Sequence, residues 1–247
     1  MSNFKALIFD VDGTLAETEQ NGHRVAFNLS FREAGLDWQW SVSLYGKLLA
    51  IAGGKERIRG YIKQYQPHFQ PPEDLTEFIA KLHQNKTHYY RKLLQEGAVP
   101  LRPGVKRLLQ EARLQGIRLA IATTSALPNT LALLEKYLDP NWFEVIAAGD
   151  IVNAKKPAPD IYHYVLEKMG LTAAECLVIE DSIQGLRAAV SADLKTVVTV
   201  NSYTQSEDFS EAVLVLSDLG EPEKPFQVLA GEVEEASYFD LALAHCL

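Results

Sequence analysis

The apolar residues of this chain fall into short, nearly unbroken runs at residues 6–11, 119–123, 143–147, 176–180, 196–200 and 213–216. A strand with one face in water alternates apolar and polar residues, whereas a strand covered on both faces does not. The runs therefore predict a parallel sheet between layers of helix. The stretches between them supply those helices. Residues 105–115 carry a helical pattern that stops at Gly116. Residues 159–169 open on Pro159, place Ile161, Val165 and Met169 on one face, and end at Gly170. Residues 183–191 form a third helix. From about residue 100 to 220 this alternation reads as a doubly wound α/β fold.

Residues 17–96 differ. They hold little strand signal, and their helical patterns break at Gly53-Gly54 and at Pro71-Pro72. Residues 75–94 fit one long helix with Phe78, Leu82, Tyr89 and Leu93 near one stripe. The expected organisation is a core domain of residues 1–16 and 97–220, interrupted after its first strand by a helical domain of residues 17–96. Residues 221–247 form a tail whose last helix, around 238–247, packs on the core.

Composition narrows the function. Apolar residues make up 47% of the 247 and charged ones 23%, as in a globular protein with a proper core. The net charge of −8, with no basic block, argues against nucleic acid or an anionic membrane as partner. An anionic ligand must then meet a local positive site. No apolar run approaches the roughly 18 residues of a membrane span. The chain enters its first strand without a signal-like segment, so a cytoplasmic protein is expected. Cys176 and Cys246 offer no disulfide framework; Cys176 opens an apolar run and reads as core.

The informative polar residues stand where the apolar runs end. The first run closes on Asp10 and Asp12, followed at once by Gly13-Thr14. Two such carboxylates repel unless something positive joins them. The second run ends in Thr123-Thr124-Ser125, Lys155-Lys156-Pro157 follows the third, and the fourth ends in Glu180-Asp181. In open α/β sheets the ligand crevice lies at the carboxyl ends of the strands, so parallel strands would make these groups converge. Each has a plainer reading taken alone. The aspartates could cap a turn, Glu180-Asp181 could cap the next helix, Thr123 could simply end a strand, and Lys155-Lys156 could be solvated. Four in order outweigh those readings.

Asp10-Val11-Asp12-Gly13-Thr14, then Thr123, Lys156 and Glu180-Asp181, resemble the four motifs of the haloacid-dehalogenase-like (HAD) phosphohydrolases. The resemblance spans the whole sheet domain, and the insert matches that family's small helical cap. It is closest to the CbbY-like branch, near β-phosphoglucomutase, through residues 15–19, Gly22-His23-Arg24, Gly53-Gly54-Lys55-Glu56-Arg57 and residues 156–160. Members of that branch dephosphorylate xylulose 1,5-bisphosphate, an inhibitor of Rubisco. The resemblance implies that Asp10 attacks phosphorus and that Asp12 serves as general acid and base. It implies that Thr123 and Lys156 hold phosphoryl oxygens. It also implies Mg2+ on the Asp10 side chain, the Asp12 carbonyl and Asp181, with Glu180 close by. In the cap, Lys55 and Arg57 follow a glycine pair that begins a helix and suit a second phosphate. Glu17, His23, Arg24 and Tyr45 are further substrate candidates there, as are Ser125 and Asn129 on the core side. Cap closure over the core site would exclude bulk water.

The leading expectation, which the resemblance implies, is therefore a monomeric, Mg2+-dependent phosphatase of a small phosphorylated sugar, hydrolysing xylulose 1,5-bisphosphate to xylulose 5-phosphate and phosphate. A phosphomutase shares every core residue and differs only in whether water or a sugar hydroxyl attacks the aspartyl phosphate. Dehalogenation of 2-haloacids needs neither Asp12 nor Glu180-Asp181, which argues against it. A non-catalytic sugar-phosphate-binding relative would be expected to lack the nucleophile or a metal acid, and none is missing.

Overall fold

The computed structural model describes residues 4–51, 53–233 and 236–247. The chain begins with strand β1 (Ala6–Phe9). It leaves for helices α1 (Arg24–Glu33), α2 (Val42–Leu48), α3 (Gly54–Tyr65) and α4 (Leu75–Gln95), and returns through α5 (Val105–Leu114). Strand and helix then alternate through β2 (Arg118–Thr123), α6 (Leu127–Tyr137), β3 (Val145–Ala148), α7 (Asp160–Met169), β4 (Cys176–Glu180), α8 (Ile183–Val190) and β5 (Lys195–Thr199). The chain closes with β6 (Leu214–Leu216), β7 (Val228–Ala230) and α9 (Leu241–Cys246). Two compact units result: Met1–Ala16 with Leu101–Leu247, and Glu17–Pro100.

The first unit is built on a seven-stranded sheet in the order β3-β2-β1-β4-β5-β6-β7. Neighbouring strands are parallel except β6 and β7. β1 and β4 are buried along their whole length, which is why their sequences are continuous apolar runs. Ala6, Ile8, Ala120 and Val178 pack on Ile161, Tyr162 and Val165 of α7 and on Ala188 and Ala189 of α8. The chain winds from β1 out to β2 and β3, then crosses back to lay β4 on the other side of β1. That reversal opens a crevice at the carboxyl ends of β1 and β4.

Several elements differ from their sequence expectation. β1 stops at Phe9, not at residue 11. Asp10 N still donates to Ile179 O at 3.0 Å, but the Val11 carbonyl turns back to accept from Leu15 N at 2.9 Å. α6 escapes a periodicity reading because Pro128 sits in its first turn, a position that tolerates proline but looks like a break. β7 is three apolar residues, Val228–Ala230, all exposed, a run too short to read as a strand. α9 starts only at Leu241, where the Asp240 side chain caps it by accepting from Leu243 N.

The unit Glu17–Pro100 is helical, with an aromatic core. Trp40 lies 4.6 Å from Phe27, 4.9 Å from Phe31 and 5.4 Å from Tyr61, measured between ring centroids. α1 packs along α4, where Ser30 Oγ donates to the Leu82 carbonyl at 2.7 Å. The buried face of α4 runs through Phe78, Ile79, Leu82, Lys86, Tyr90 and Leu94. The expected stripe through Tyr89 and Leu93 is thus displaced by one residue, and both are only half-buried. A buried lysine at the centre of the face hides the true stripe from any reading based on apolar spacing. Among the described residues, no helix is long and apolar enough to cross a membrane.

Candidate active site

Lys156 reaches the sheet from the loop between β3 and α7. Its Nζ donates to Asp10 Oδ1 at 2.8 Å, to Glu180 Oε1 at 2.5 Å and to the Ala122 carbonyl at 2.8 Å. All three side chains are buried. Glu180 is enclosed on every side. Its Oε1 also accepts from Tyr162 OH at 2.6 Å, its Oε2 accepts from Asp181 N at 3.1 Å, and a Cβ on Gly185 would stand 2.0 Å from its carboxyl carbon. Asp181 is held from two directions, accepting from Asn201 Nδ2 at 2.6 Å and from Thr14 Oγ1 at 3.3 Å. Between Asp12 and Thr14 the chain passes at a φ of +88°, and a Cβ there would lie 2.2 Å from Asp181 Oδ2. Only glycine fits, and Gly13 is that residue. Asp12 sits half-buried on the same turn, which Gly13 N closes by donating to Ala16 O at 2.9 Å.

One oxygen from each of Asp10, Glu180 and Asp181 lies within 4.8 Å of the others. Three buried carboxylates therefore face a single ammonium. Burial pushes Asp10 up to about 8; Lys156 opposes the rise, while Glu180 and Asp12 add to it. Asp181 is pushed well above the ordinary carboxylate range by burial and then by Asp10 and Glu180, against Arg102 and Lys156. Burial alone would lower Lys156, but Asp10 and Glu180 outweigh it and hold the ammonium charged. The carboxylates outnumber the cations that act on them, Lys156 and Arg102, and offer hard oxygen donors, the chemistry a divalent cation satisfies.

The sequence pattern of the haloacid dehalogenase-like hydrolases matches residues 4–193. The chain belongs to that family. Protein CbbY of Cupriavidus necator H16 is 47% identical over 224 residues, which cover 90% of this HAD-like hydrolase and 88% of that protein. The crystal structure of CbbY from Rhodobacter sphaeroides in complex with phosphate matches with a TM-score of 0.80 at 42% identity, over 87% of this chain and 94% of that one. A mutant of the same protein in complex with xylulose-(1,5)bisphosphate matches with a TM-score of 0.80 at 43% identity, over 87% and 94%. These likenesses put the hydrolase in the CbbY-like branch and make it a HAD-family phosphatase, a hydrolase of phosphoric monoesters.

The other sequence candidates in the core unit of this HAD-like phosphatase stand nearby along the chain. Thr123 ends β2, buried, with its Oγ1 accepting from Ser125 N at 3.1 Å. Ser125 is half-buried in that turn. Asn129 is buried in the first turn of α6, where its Oδ1 has no hydrogen-bond partner among the described residues. Lys155 stays out of the cluster and pairs with the exposed Asp150 at 3.0 Å.

The remaining candidates form separate groups within Glu17–Pro100. Arg57 is buried and donates to Tyr45 OH at 2.9 Å and to the Leu48 carbonyl at 3.2 Å, while Tyr45 OH donates to Glu19. His23 Nδ1 lies 2.9 Å from Lys86 Nζ, and its ring lies 4.1 Å from that of Tyr90. Arg24 fastens backbone, donating to the carbonyls of Gln20 at 3.1 Å and Trp40 at 3.3 Å. Glu17 is half-buried, and Lys55 is exposed in the first turn of α3.

Sequence reasoning missed Tyr162, Asn201, Arg102 and Lys86. Asn201 directly follows the fifth apolar run, so the strand-end criterion that selected Glu180-Asp181 would have selected it too. Tyr162 and Lys86 sit on helix faces where an apolar residue is the ordinary occupant. Arg102 carries no local signal.

Proposed function

We propose that this phosphatase hydrolyses xylulose 1,5-bisphosphate to xylulose 5-phosphate and inorganic phosphate, with Mg2+, through an aspartyl phosphate at Asp10. The observation that carries the reading is Lys156 Nζ bridging Asp10 and Glu180 at 2.8 and 2.5 Å beside Asp181, a buried set in which carboxylates outnumber cations. The xylulose-(1,5)bisphosphate complex of the R. sphaeroides protein, 43% identical, supports the choice of substrate.

Phosphoryl transfer asks mainly for an aligned nucleophile and for charge neutralisation. A carboxylate oxygen of Asp10 attacks phosphorus, and the bond from phosphorus to the sugar oxygen breaks. Asp12 gives that oxygen its proton. Asp12, now a carboxylate, takes a proton from water; the water oxygen attacks phosphorus, and Asp10 leaves as the carboxylate with inorganic phosphate released. Lys156 and Thr123 hold the phosphoryl oxygens. The Asp10 and Asp181 side chains and the Asp12 carbonyl would hold Mg2+, with Glu180 beside them, and the ion would supply positive charge against the phosphate dianion. We assign the second phosphate to Lys55 at the start of α3, with Arg57 holding Tyr45.

The test is a pair of assays with Mg2+: phosphate release from xylulose 1,5-bisphosphate, and conversion of β-glucose 1-phosphate to glucose 6-phosphate. Phosphate release without isomerisation is expected. Isomerisation without net phosphate release would make the protein a mutase. Asp10→Asn should lower phosphate release by more than about 1,000-fold with the fold intact. Substantial residual turnover would sink the aspartyl-phosphate route.

A further inference from the structure

Arg102 lies outside every group that touches the reacting phosphate in the reading above, yet it is 5% exposed and donates into the floor of the site. Its Nη1 donates to the Gly13 carbonyl and, at 2.9 Å, to the Thr199 carbonyl. Its Nη2 donates to the carbonyls of Val200 at 2.5 Å and Ser217 at 2.8 Å. Its own backbone N donates to Leu15 O at 2.9 Å. One guanidinium thus fastens the turn after β1 to the carboxyl ends of β5 and β6. The planar fork suits this, because its donors are fixed in direction relative to one another.

Two of those carbonyls adjoin groups that the chemistry uses. Gly13 follows Asp12, and fixing the Gly13 carbonyl fixes the turn from which the Asp12 carboxyl and carbonyl project. Val200 precedes Asn201, whose Nδ2 donates to Asp181 at 2.6 Å. Asn201 is itself held, its backbone N donating to Thr204 Oγ1 at 3.1 Å and its Oδ1 accepting from Tyr203 N at 2.9 Å. We propose that Arg102 is a positioning residue of the phosphatase site, setting Asp12 through Gly13 and Asp181 through Val200 and Asn201. The inference rests on the reading that Asp10, Asp12 and Asp181 carry the Mg2+-dependent reaction. Groups hydrogen-bonded directly to a metal's ligands typically cost 10- to 100-fold in affinity or activity when removed, and Arg102, which acts one link further back on both arms, belongs at the lower end of that range.

Arg107 provides a matched control. It too donates to backbone carbonyls, those of Leu219, Gly220 and Phe239 at 3.2, 3.1 and 2.8 Å, and none of these adjoins the site. Arg102→Lys, Arg102→Met and Arg107→Met are each compared with the parent. Melting temperature, Mg2+ binding by calorimetry without substrate, and kcat and KM at saturating Mg2+ are measured. The expected result for Arg102→Lys is Mg2+ binding weakened about tenfold or more and kcat lowered to a similar extent, with KM changed by less than about twofold. Arg107→Met should lower the melting temperature and leave Mg2+ binding within about twofold of the parent. Should Arg102→Met not fold, Arg102→Lys decides the matter, since it keeps a cation in place but cannot reach all the carbonyls. Folded Arg102→Lys with parental Mg2+ affinity and kcat overturns the proposal. So does failure of both Arg102 variants to fold, which would assign the residue to the fold alone. Absence of Mg2+ binding in the parent, or turnover by Asp10→Asn, would instead overturn the reading of the site itself.

Discussion

The molecule buries charge in two places, and it does so in opposite ways. At the carboxyl ends of β1 and β4 three carboxylates crowd one lysine, and Asp10 is raised to about 8, by burial first and then by Glu180 and Asp12, against Lys156. In the helical unit cations are buried instead. Lys86 Nζ lies 4.9 Å from the Phe27 ring centroid and 5.4 Å from that of Tyr90, and Arg57 lies 5.2 Å from that of Tyr45. Aromatic faces and neutral oxygens are good company for a cation whose stem already packs among rings. They supply nothing to a carboxylate. Among the described residues the carboxylate cluster gathers more negative than positive charge, so a cation placed there would gain electrostatically.

The strongest way to test this contrast is to remove the one cation from the carboxylate cluster. Lys156→Met strands Asp10 and Glu180, and should destabilise the protein by about 3–5 kcal/mol at pH 8 in chemical denaturation. The loss should shrink in mildly acidic buffer, where the carboxylates take up protons. Equal loss at both pH values would mean the cluster is not short of positive charge.

The second test uses pH and Mg2+ together. Asp10 is raised above its unfolded value near 3.8, so a proton on it favours the folded state. Its contribution in metal-free protein is complete below about pH 4 and is lost as pH rises through about 8. A cation takes over where the proton leaves. At about 100 times its apparent Kd, Mg2+ should add about 2.7 kcal/mol at pH 8. The same concentration should add little at pH 6, because metal and proton compete for the carboxylates. Thermal melts with and without Mg2+ across that range check the sign.

The smallest effect belongs to the helical unit. Tyr45→Phe removes the hydroxyl between Arg57 and Glu19 and should cost about 1–3 kcal/mol. Mg2+ binding should stay unchanged. A loss as large as that of Lys156→Met would erase the distinction between the two regions.

What the sequence makes legible follows from where each signal comes from. The central strands are readable because burial on both faces forces continuous apolar runs, Asp10, Glu180 and Asp181 stand out because they end such runs, and Lys156 is picked out by its place before Pro157 in the family motif. The face of α4 is read correctly at Phe78 and Leu82 and misread by one residue beyond them, because its middle position is Lys86. α6 is obscured by Pro128 and β7 by its length of three residues. Arg102 and Tyr162 are illegible for another reason. Arg102 meets its carbonyls 89 to 115 positions away along the chain, and no local pattern records a bond that only the finished fold creates.

The place of β1 at the middle of the sheet has a consequence for synthesis. Its two neighbours begin at Arg118 and Cys176, so the first strand to emerge waits longer than any other strand of the sheet for its second neighbour. At translation rates of about 5–20 residues per second, β1 waits roughly ten to thirty seconds for β4. Through that interval its apolar side chains lack their final covering, while Glu17–Pro100, a compact unit continuous in sequence, has already emerged whole.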